Sequence, residues 1–138
     1  MSNKDTNKKV NSAVAALIIK NKKILLGRRF ENNQFMGWQC PGGYLQKGET
    51  VTQAVNRHCT QKAGIKIAAH RPGPYSNNIF AEHHTTTLYL VVNEFTVCNR
   101  DVFENEKKQW SWFDFDALPK TLFLPLAELL KNNKFPQL

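Results

Sequence analysis

Apolar side chains are almost unbroken over residues 13–19 and resume at Ile24, Leu25 and Leu26. A run in which both alternate positions are apolar predicts a strand covered on both faces. Residues 10–19 are therefore expected to form such a strand. Asn21, Lys22 and Lys23 supply a turn, and residues 24–29 are expected to return as the second arm of a hairpin. Residues 31–37 read as a loop, followed by a short strand at Trp38, Gln39 and Cys40 that Pro41, Gly42 and Gly43 break. From about Thr50 to Ala63 the pattern becomes helical. Thr50 and Gln53 have the spacing of a capping box, and Gly64 stands where a helix-ending glycine belongs. Residues 65–68 suggest a short strand and residues 71–74 a turn-rich break. Residues 85–92 and 110–115 are β-branched and aromatic in strand order. Leu122, Leu126, Leu129 and Leu130 recur at helical spacing and predict a final helix lying over the sheet. Strands, a helix, strands and a helix in that order give an α/β class of the α+β kind, a mixed sheet sandwiched by helices.

With 138 residues, 41% of them apolar, the chain is long enough for one real core. The expected organisation is a flexible basic N-terminal tail at residues 1–9 and a single domain at residues 10–138. The longest apolar run is far short of a membrane span, and the first residues contain no apolar signal core. Three scattered cysteines, Cys40, Cys59 and Cys98, form no CxxC pair, which argues against a disulfide frame or zinc site and for a reducing cytoplasm. The formal charge is +8 and is unevenly placed: residues 1–29 hold eight basic side chains against one acid, Asp5. Excess positive charge favours anionic partners. The lysines have no interleaved aromatics and form no basic helix face, so a nucleic-acid module ranks below a small anionic ligand.

The helix expected after Thr50 carries an anomaly. On a helical wheel Val51, Val55 and Cys59 form an apolar stripe, yet His58 and Lys62 fall within or beside it and Gln61 adjoins it. A core-facing stripe does not accommodate an unpaired ammonium cheaply. Either the last two turns border a wet cleft, or the lysine reaches out from the edge of the core. In front of the helix, Gly42 and Gly43 follow a proline, and exposed N–H groups of such a loop can hold phosphate oxygens.

This segment resembles the Nudix box, G-x5-E-x7-R-E-apolar-x-E-E-x-G-apolar. Gly43, Glu49, Arg57, Gly64 and Ile65 match at the right spacing, and Cys59 fills the apolar slot. The flanks at Trp38, Pro41-Gly42-Gly43, residues 24–29, Trp110-x-Trp112 and Leu118-Pro119 are similar too. The resemblance covers about residues 10–132 and is nearest to the MutT-like nucleoside triphosphate diphosphatases. It implies an α/β/α sandwich built on the box helix and a C-terminal helix. It also implies an activated water attacking phosphorus, with Mg²⁺ or Mn²⁺ neutralising the developing charge.

In the family, glutamates stand where this chain has His58, Gln61 and Lys62. Lysine offers a hard cation no lone pair, and neutral histidine and glutamine are poor substitutes for carboxylates. Of the remaining acids, Glu49 is a candidate for a weak metal contact or for pairing with Arg57, with Gln61 a second weak ligand. Glu104 and Glu106 are candidate catalytic acids, and Glu82 and Asp101 are more distant ones. His58 and Lys62 are candidates for touching phosphate directly, joined by Gly42, Gly43, Arg28 and Arg29. Trp38 is a candidate for stacking on a base, with Phe35, Phe80 and Tyr89 behind it. The first expectation is therefore a protein that binds a nucleotide or other diphosphate compound and hydrolyses it weakly or not at all, with no metal needed. The alternative is a Mg²⁺- or Mn²⁺-dependent pyrophosphohydrolase using Glu49 with Glu104 or Glu106. A homodimer is compatible with both.

Overall fold

The computed structural model describes residues 9–131. The basic tail expected at residues 1–9 lies outside these except for Lys9, as do residues 132–138. The described chain runs β1 (Val10–Lys20), β2 (Lys23–Glu31), β3 (Gln34–Gln39), β4 (Gly42–Tyr44), α1 (Val51–Ala63), β5 (Ile65–Ile79), β6 (His84–Val97), α2 (Arg100–Phe103), β7 (Ser111–Asp114) and α3 (Leu124–Lys131). The strands form one mixed sheet in the order β3-β2-β1-β6-β5, with β4 beside β1 and β7 beside β2. β1 and β6 are parallel from Val10 opposite His84 to Ile18 opposite Val92. The other pairs are antiparallel.

The continuous apolar run of β1 is explained by burial on both sides. Val14, Ala16 and Ile18 join Leu25, Leu90 and Val92 against Ala54, Val55, Cys59 and Ala63 of α1. The alternate residues, Ala15 and Leu17, join Ile24, Leu26, Tyr89 and Val91 against Leu126 and Leu129 of α3. Each fully buried Val, Leu or Ile is worth about 1.5–3 kcal/mol, so the two layers together hold the sheet. The result is the expected α/β/α sandwich.

Two expectations are corrected. Residues 31–37 are not a loop: Asn32 and Asn33 take φ of 51° and 64°, close a tight two-residue turn, and send the chain straight back as β3. Residues 65–79 are one strand rather than a short strand and a break. Register shifts near residues 67–70 and between Pro72 and Tyr75 absorb the prolines without ending the pairing with β6. β5 is the edge of the sheet, where a missing proline N–H is tolerated. The four-residue helix α2 has too short a pattern to read from sequence.

β1 changes neighbours along its length, and this positions the site. Ala13, Val14 and Ala15 pair with β4, while only Ile19 and Lys20 pair with β2. β1 and β2 separate beyond the hairpin end, and residues 41–44 enter beside β1, with the Ala16 N–H donating to Pro41 O at 2.9 Å. The cleft opens over this junction.

Candidate functional site

Both ends of α1 are fixed by local chemistry. Thr50 Oγ1 accepts from the Gln53 N–H at 3.1 Å, and Gln53 Oε1 accepts from the Thr50 N–H at 2.9 Å, completing the capping box. At the other end Gly64 has φ of 65°, and a Cβ there would lie 2.2 Å from Asn99 O. Only glycine satisfies both conditions. The last two turns of α1 are thereby held beneath β4.

Three side chains of those turns donate to carbonyls of the β4 segment. Arg57 grips Glu49 through Nε at 2.6 Å and Nη2 at 3.0 Å, and Nη2 also donates to Tyr44 O at 3.2 Å. The second bond to Glu49 Oε1 comes from the Gln46 N–H at 2.9 Å. His58 is buried, and its Nε2 lies 2.9 Å from Tyr44 O. A carbonyl only accepts, so Nε2 carries the proton. Nδ1 is left buried and without a hydrogen-bond partner among the described residues. Lys62 Nζ donates to Gly42 O at 2.6 Å, and its own carbonyl accepts from Trp110 Nε1 at 3.0 Å. Gly43 lies directly over the imidazole: a Cβ there would fall 2.2 Å from His58 Cε1.

The electrostatics follow from these contacts. Hydrogen bonds from Arg57, then from the Gln46 N–H, hold the Glu49 carboxyl at about 2. Burial lowers His58, and the nearby Lys62 and Arg57 charges lower it further against the opposing pull of Tyr44 O. Burial lowers Lys62 as well, followed by repulsion from Lys108, Arg29 and Arg57. Both Glu49 and His58 bind a proton more weakly folded than unfolded, so acid favours the unfolded chain. Stability is expected to fall first below about pH 6.5, where unfolded histidine charges. A second loss is expected as pH drops from 4.5 toward about 2, the interval over which Glu49 is held ionised. Urea midpoints across pH 3–8 test this; a His58→Gln variant should lose the upper step, and retention of that step would refute the assignment.

A cleft of about 810 Å³ opens in front of this face. Of the residues singled out from sequence, it is lined by Arg29, Gly42, Gly43, Arg57, His58, Lys62, Phe80 and Tyr89, but not by Phe35. His58 reaches it only from beneath Gly43. Arg28 points the other way and donates to Lys107 O at 3.2 Å and Glu106 O at 3.4 Å. Trp38 packs edge-on against Phe113 at 5.0 Å rather than lining the cleft. Glu104 and Glu106 are exposed and line neither this cleft nor the smaller cavity beside it. Gln61 is exposed and lines that smaller cavity.

Sequence reasoning missed Glu31, His83 and Phe123. Glu31 faces the cleft paired with Arg29 at 2.7 Å. Arg29 also lies 4.4 Å over the Phe123 ring. Phe80 and His83 stack at 4.6 Å on the rim made by the β5–β6 turn. Phe80 was a sequence candidate for stacking; its partner His83 carried no signal beyond lying near a turn, which is too common to single out. Cys40 also lines the cleft, but burial raises its thiol and keeps it a poor nucleophile.

These groups do not fit a hard divalent ion, which takes six or more oxygen ligands. Positions 58, 61 and 62 present an imidazole N–H, an exposed amide and an ammonium. Both Glu49 oxygens are engaged. Among the described residues no three His, Cys, Asp or Glu side chains gather in a metal-holding group.

Residues 9–132 match the NUDIX domain family model. The chain is 32% identical over 115 residues to the ADP-ribose pyrophosphatase of Methanocaldococcus jannaschii, covering 80% of this chain and 66% of that protein. It is 28% identical over 106 residues to the oxidized purine nucleoside triphosphate hydrolase of Danio rerio, covering 75% and 65%. The match thus spans just under two thirds of either relative. Among solved structures, a MutT NUDIX hydrolase from Burkholderia pseudomallei shares the fold with a TM-score of 0.76 at 24% identity, covering 89% of this chain and 98% of that one. Among the described residues no helix is long and apolar enough to cross a membrane.

Proposed function

The chain belongs to the Nudix family, and on that premise we propose that its cleft binds a nucleotide or related diphosphate compound and hydrolyses it weakly or not at all. The observation that carries this reading is Lys62. Its ammonium bonds Gly42 O at 2.6 Å on the helix face where the family pattern has a carboxylate. A cation already stands there, and a divalent metal would be repelled. The ligand class is supported by the relatives, named for ADP-ribose and for oxidized purine nucleoside triphosphates.

The cleft's chemistry agrees with such a ligand. Arg29, Arg57 and Lys62 supply positive charge on one side, and the Phe80–His83 pair and Phe123 supply flat faces for a base. Glu104 and Glu106 lie away from the cleft, so nothing favours a rearranged catalytic site built on them. We place the protein in the cytoplasm, a reading supported by three free cysteines, two of them buried.

The test is a panel of nucleoside triphosphates, ADP-ribose and dinucleotides, assayed for thermal stabilisation and for Mg²⁺- and Mn²⁺-dependent product release. At least one compound should raise the melting temperature, with turnover below the ordinary enzymatic range of about 1–10³ s⁻¹. Turnover within that range overturns the reading, as does a panel in which nothing binds.

A further inference from the structure

Lys62 is a wall shared by two cavities. One is the cleft; the other, of about 400 Å³, is lined by Gln61, Asn99, Asp101, Asn105 and Lys108 as well as Lys62. We propose that Lys62, Lys108 and Arg29 form a metal-free seat for a diphosphate, in which fixed cations of the protein take the place of a divalent ion. The proposal rests on the reading of the cleft as a nucleotide or diphosphate site and specifies how the phosphates are held.

Lys62 and Lys108 line the smaller cavity, Lys62 and Arg29 line the cleft, and the three cations come from distant parts of the chain. Lys62 lies on α1, Arg29 on β2, and Lys108 in the segment before β7. Arg28 N–H donates to Lys108 O at 2.7 Å, which pins that segment against β2 next to Arg29. Lys62 feels repulsion from both Lys108 and Arg29, and Lys108 feels repulsion from Arg29. Both lysines are partly buried. Among the described residues neither forms an ion pair; the two that occur use Arg29 with Glu31 and Arg57 with Glu49. Asp101 lines the smaller cavity but stands outside ion-pair distance of either lysine.

Half-buried ammonium groups that repel one another are costly to hold together without a counter-charge. Burial, the leading cause, lowers the proton affinity of both lysines, and the neighbouring cations lower it further. An anion between them would relieve that cost. The donors to bind one remain. An ammonium has three N–H groups, and Lys62 spends one on Gly42 O. Arg29 spends Nε on Glu31 and one Nη1 N–H on Gln39, at 2.7 Å and 3.3 Å, which leaves the other Nη1 N–H and both on Nη2. A diphosphate matches the demand because it offers several anionic oxygens to more than one cation at once. With the phosphates at Lys62, the rest of a nucleotide lies along the larger cleft toward Phe80, His83 and Phe123.

The experiment is calorimetric titration of the full chain with inorganic pyrophosphate and, separately, ADP, first in EDTA and then in excess Mg²⁺. Saturable binding of both is expected in EDTA. Affinity should fall at least about tenfold in Lys62→Gln and in Lys108→Gln, and should weaken as added salt screens the charges. If Lys62→Gln unfolds, Lys108→Gln carries the test alone, with its melting curve as the check on folding. Binding that requires Mg²⁺, or parental affinity in folded Lys108→Gln, overturns the seat while leaving the cleft a nucleotide site. No binding of ADP or pyrophosphate under either condition overturns the seat, and the functional reading falls with it if the nucleoside triphosphates, ADP-ribose and dinucleotides of the panel also fail to bind.

Discussion

Introducing His58→Glu, Gln61→Glu and Lys62→Glu together is expected to make hydrolysis of nucleoside triphosphates or ADP-ribose depend on Mg²⁺ or Mn²⁺. The rate should rise at least about 100-fold over the parent chain, equivalent to about 2.7 kcal/mol of barrier. This is a modest share of what a bound metal supplies by stabilising charge on a phosphoryl oxygen. Lys62→Glu removes the ammonium from Gly42 O and frees that carbonyl. His58→Glu replaces a donor that now faces Tyr44 O with a second acceptor. Acceptors and like charges would then converge with only Arg57, already committed to Glu49 and Tyr44 O, to offset them. The triple variant should therefore be less stable than the parent without metal and should recover as Mn²⁺ is added. Kinetics and melting curves recorded against Mn²⁺ read both effects. A folded triple variant whose melting ignores Mn²⁺ shows that this face is not arranged as the family pattern implies.

Gly43→Ala is expected to destabilise the protein by about 1–3 kcal/mol, the range for overpacking a tight site. A Cβ at this position would stand 2.2 Å from His58 Cε1 and 2.7 Å from Nδ1. The imidazole cannot simply turn away, because it is buried and bonded to Tyr44 O. Either the ring moves or β4 lifts, and lifting β4 shifts Gly42 and Tyr44, the carbonyls that hold Lys62, His58 and Arg57. The loss should be smaller when His58→Ala is present, since the clash is then gone. Chemical unfolding of the four proteins in this cycle measures the coupling directly. Additive losses would mean that the crowding between Gly43 and His58 does not set the stability.

Much of the fold was readable because its signals are short-ranged. The hairpin of β1 and β2, the capping box at Thr50 and Gln53 and the left-handed Gly64 each depend on residues a few positions apart. The apolar run of β1 announced burial on both faces without saying what would cover them. The errors have equally physical causes. Residues 31–37 look polar and turn-rich, but Asn32 and Asn33 concentrate the turn into two left-handed residues. Pro72 and Pro74 look like strand breakers, but on an edge strand a register shift accommodates them.

The site was legible in part. Lys62 and His58 were visible as polar intrusions on an apolar helix face, and the choice between a wet cleft and a lysine escaping the core was open. The fold resolves the two differently. Lys62 reaches the cleft, while His58 is covered by Gly43 and spends its proton on Tyr44 O. Arg28 and Arg29 are adjacent and chemically identical, yet one binds Glu106 O and Lys107 O while the other faces the cleft. Successive strand residues point to opposite faces, and nothing local says which face is the functional one.

By itself the amino-acid sequence determined the first hairpin, the box helix with its caps and the identity of the groups at positions 58, 61 and 62, because each of these is settled by residues near in the chain or by chemistry alone. Only the tertiary structure decided that Lys108 stands beside Lys62, that Trp110 ties down the Lys62 carbonyl, and that Glu104 and Glu106 lie outside the cleft. Those facts depend on how β2, β7 and α1 pack. Charges interact according to distance in space, and that distance is fixed only when the sheet and its two helical layers close.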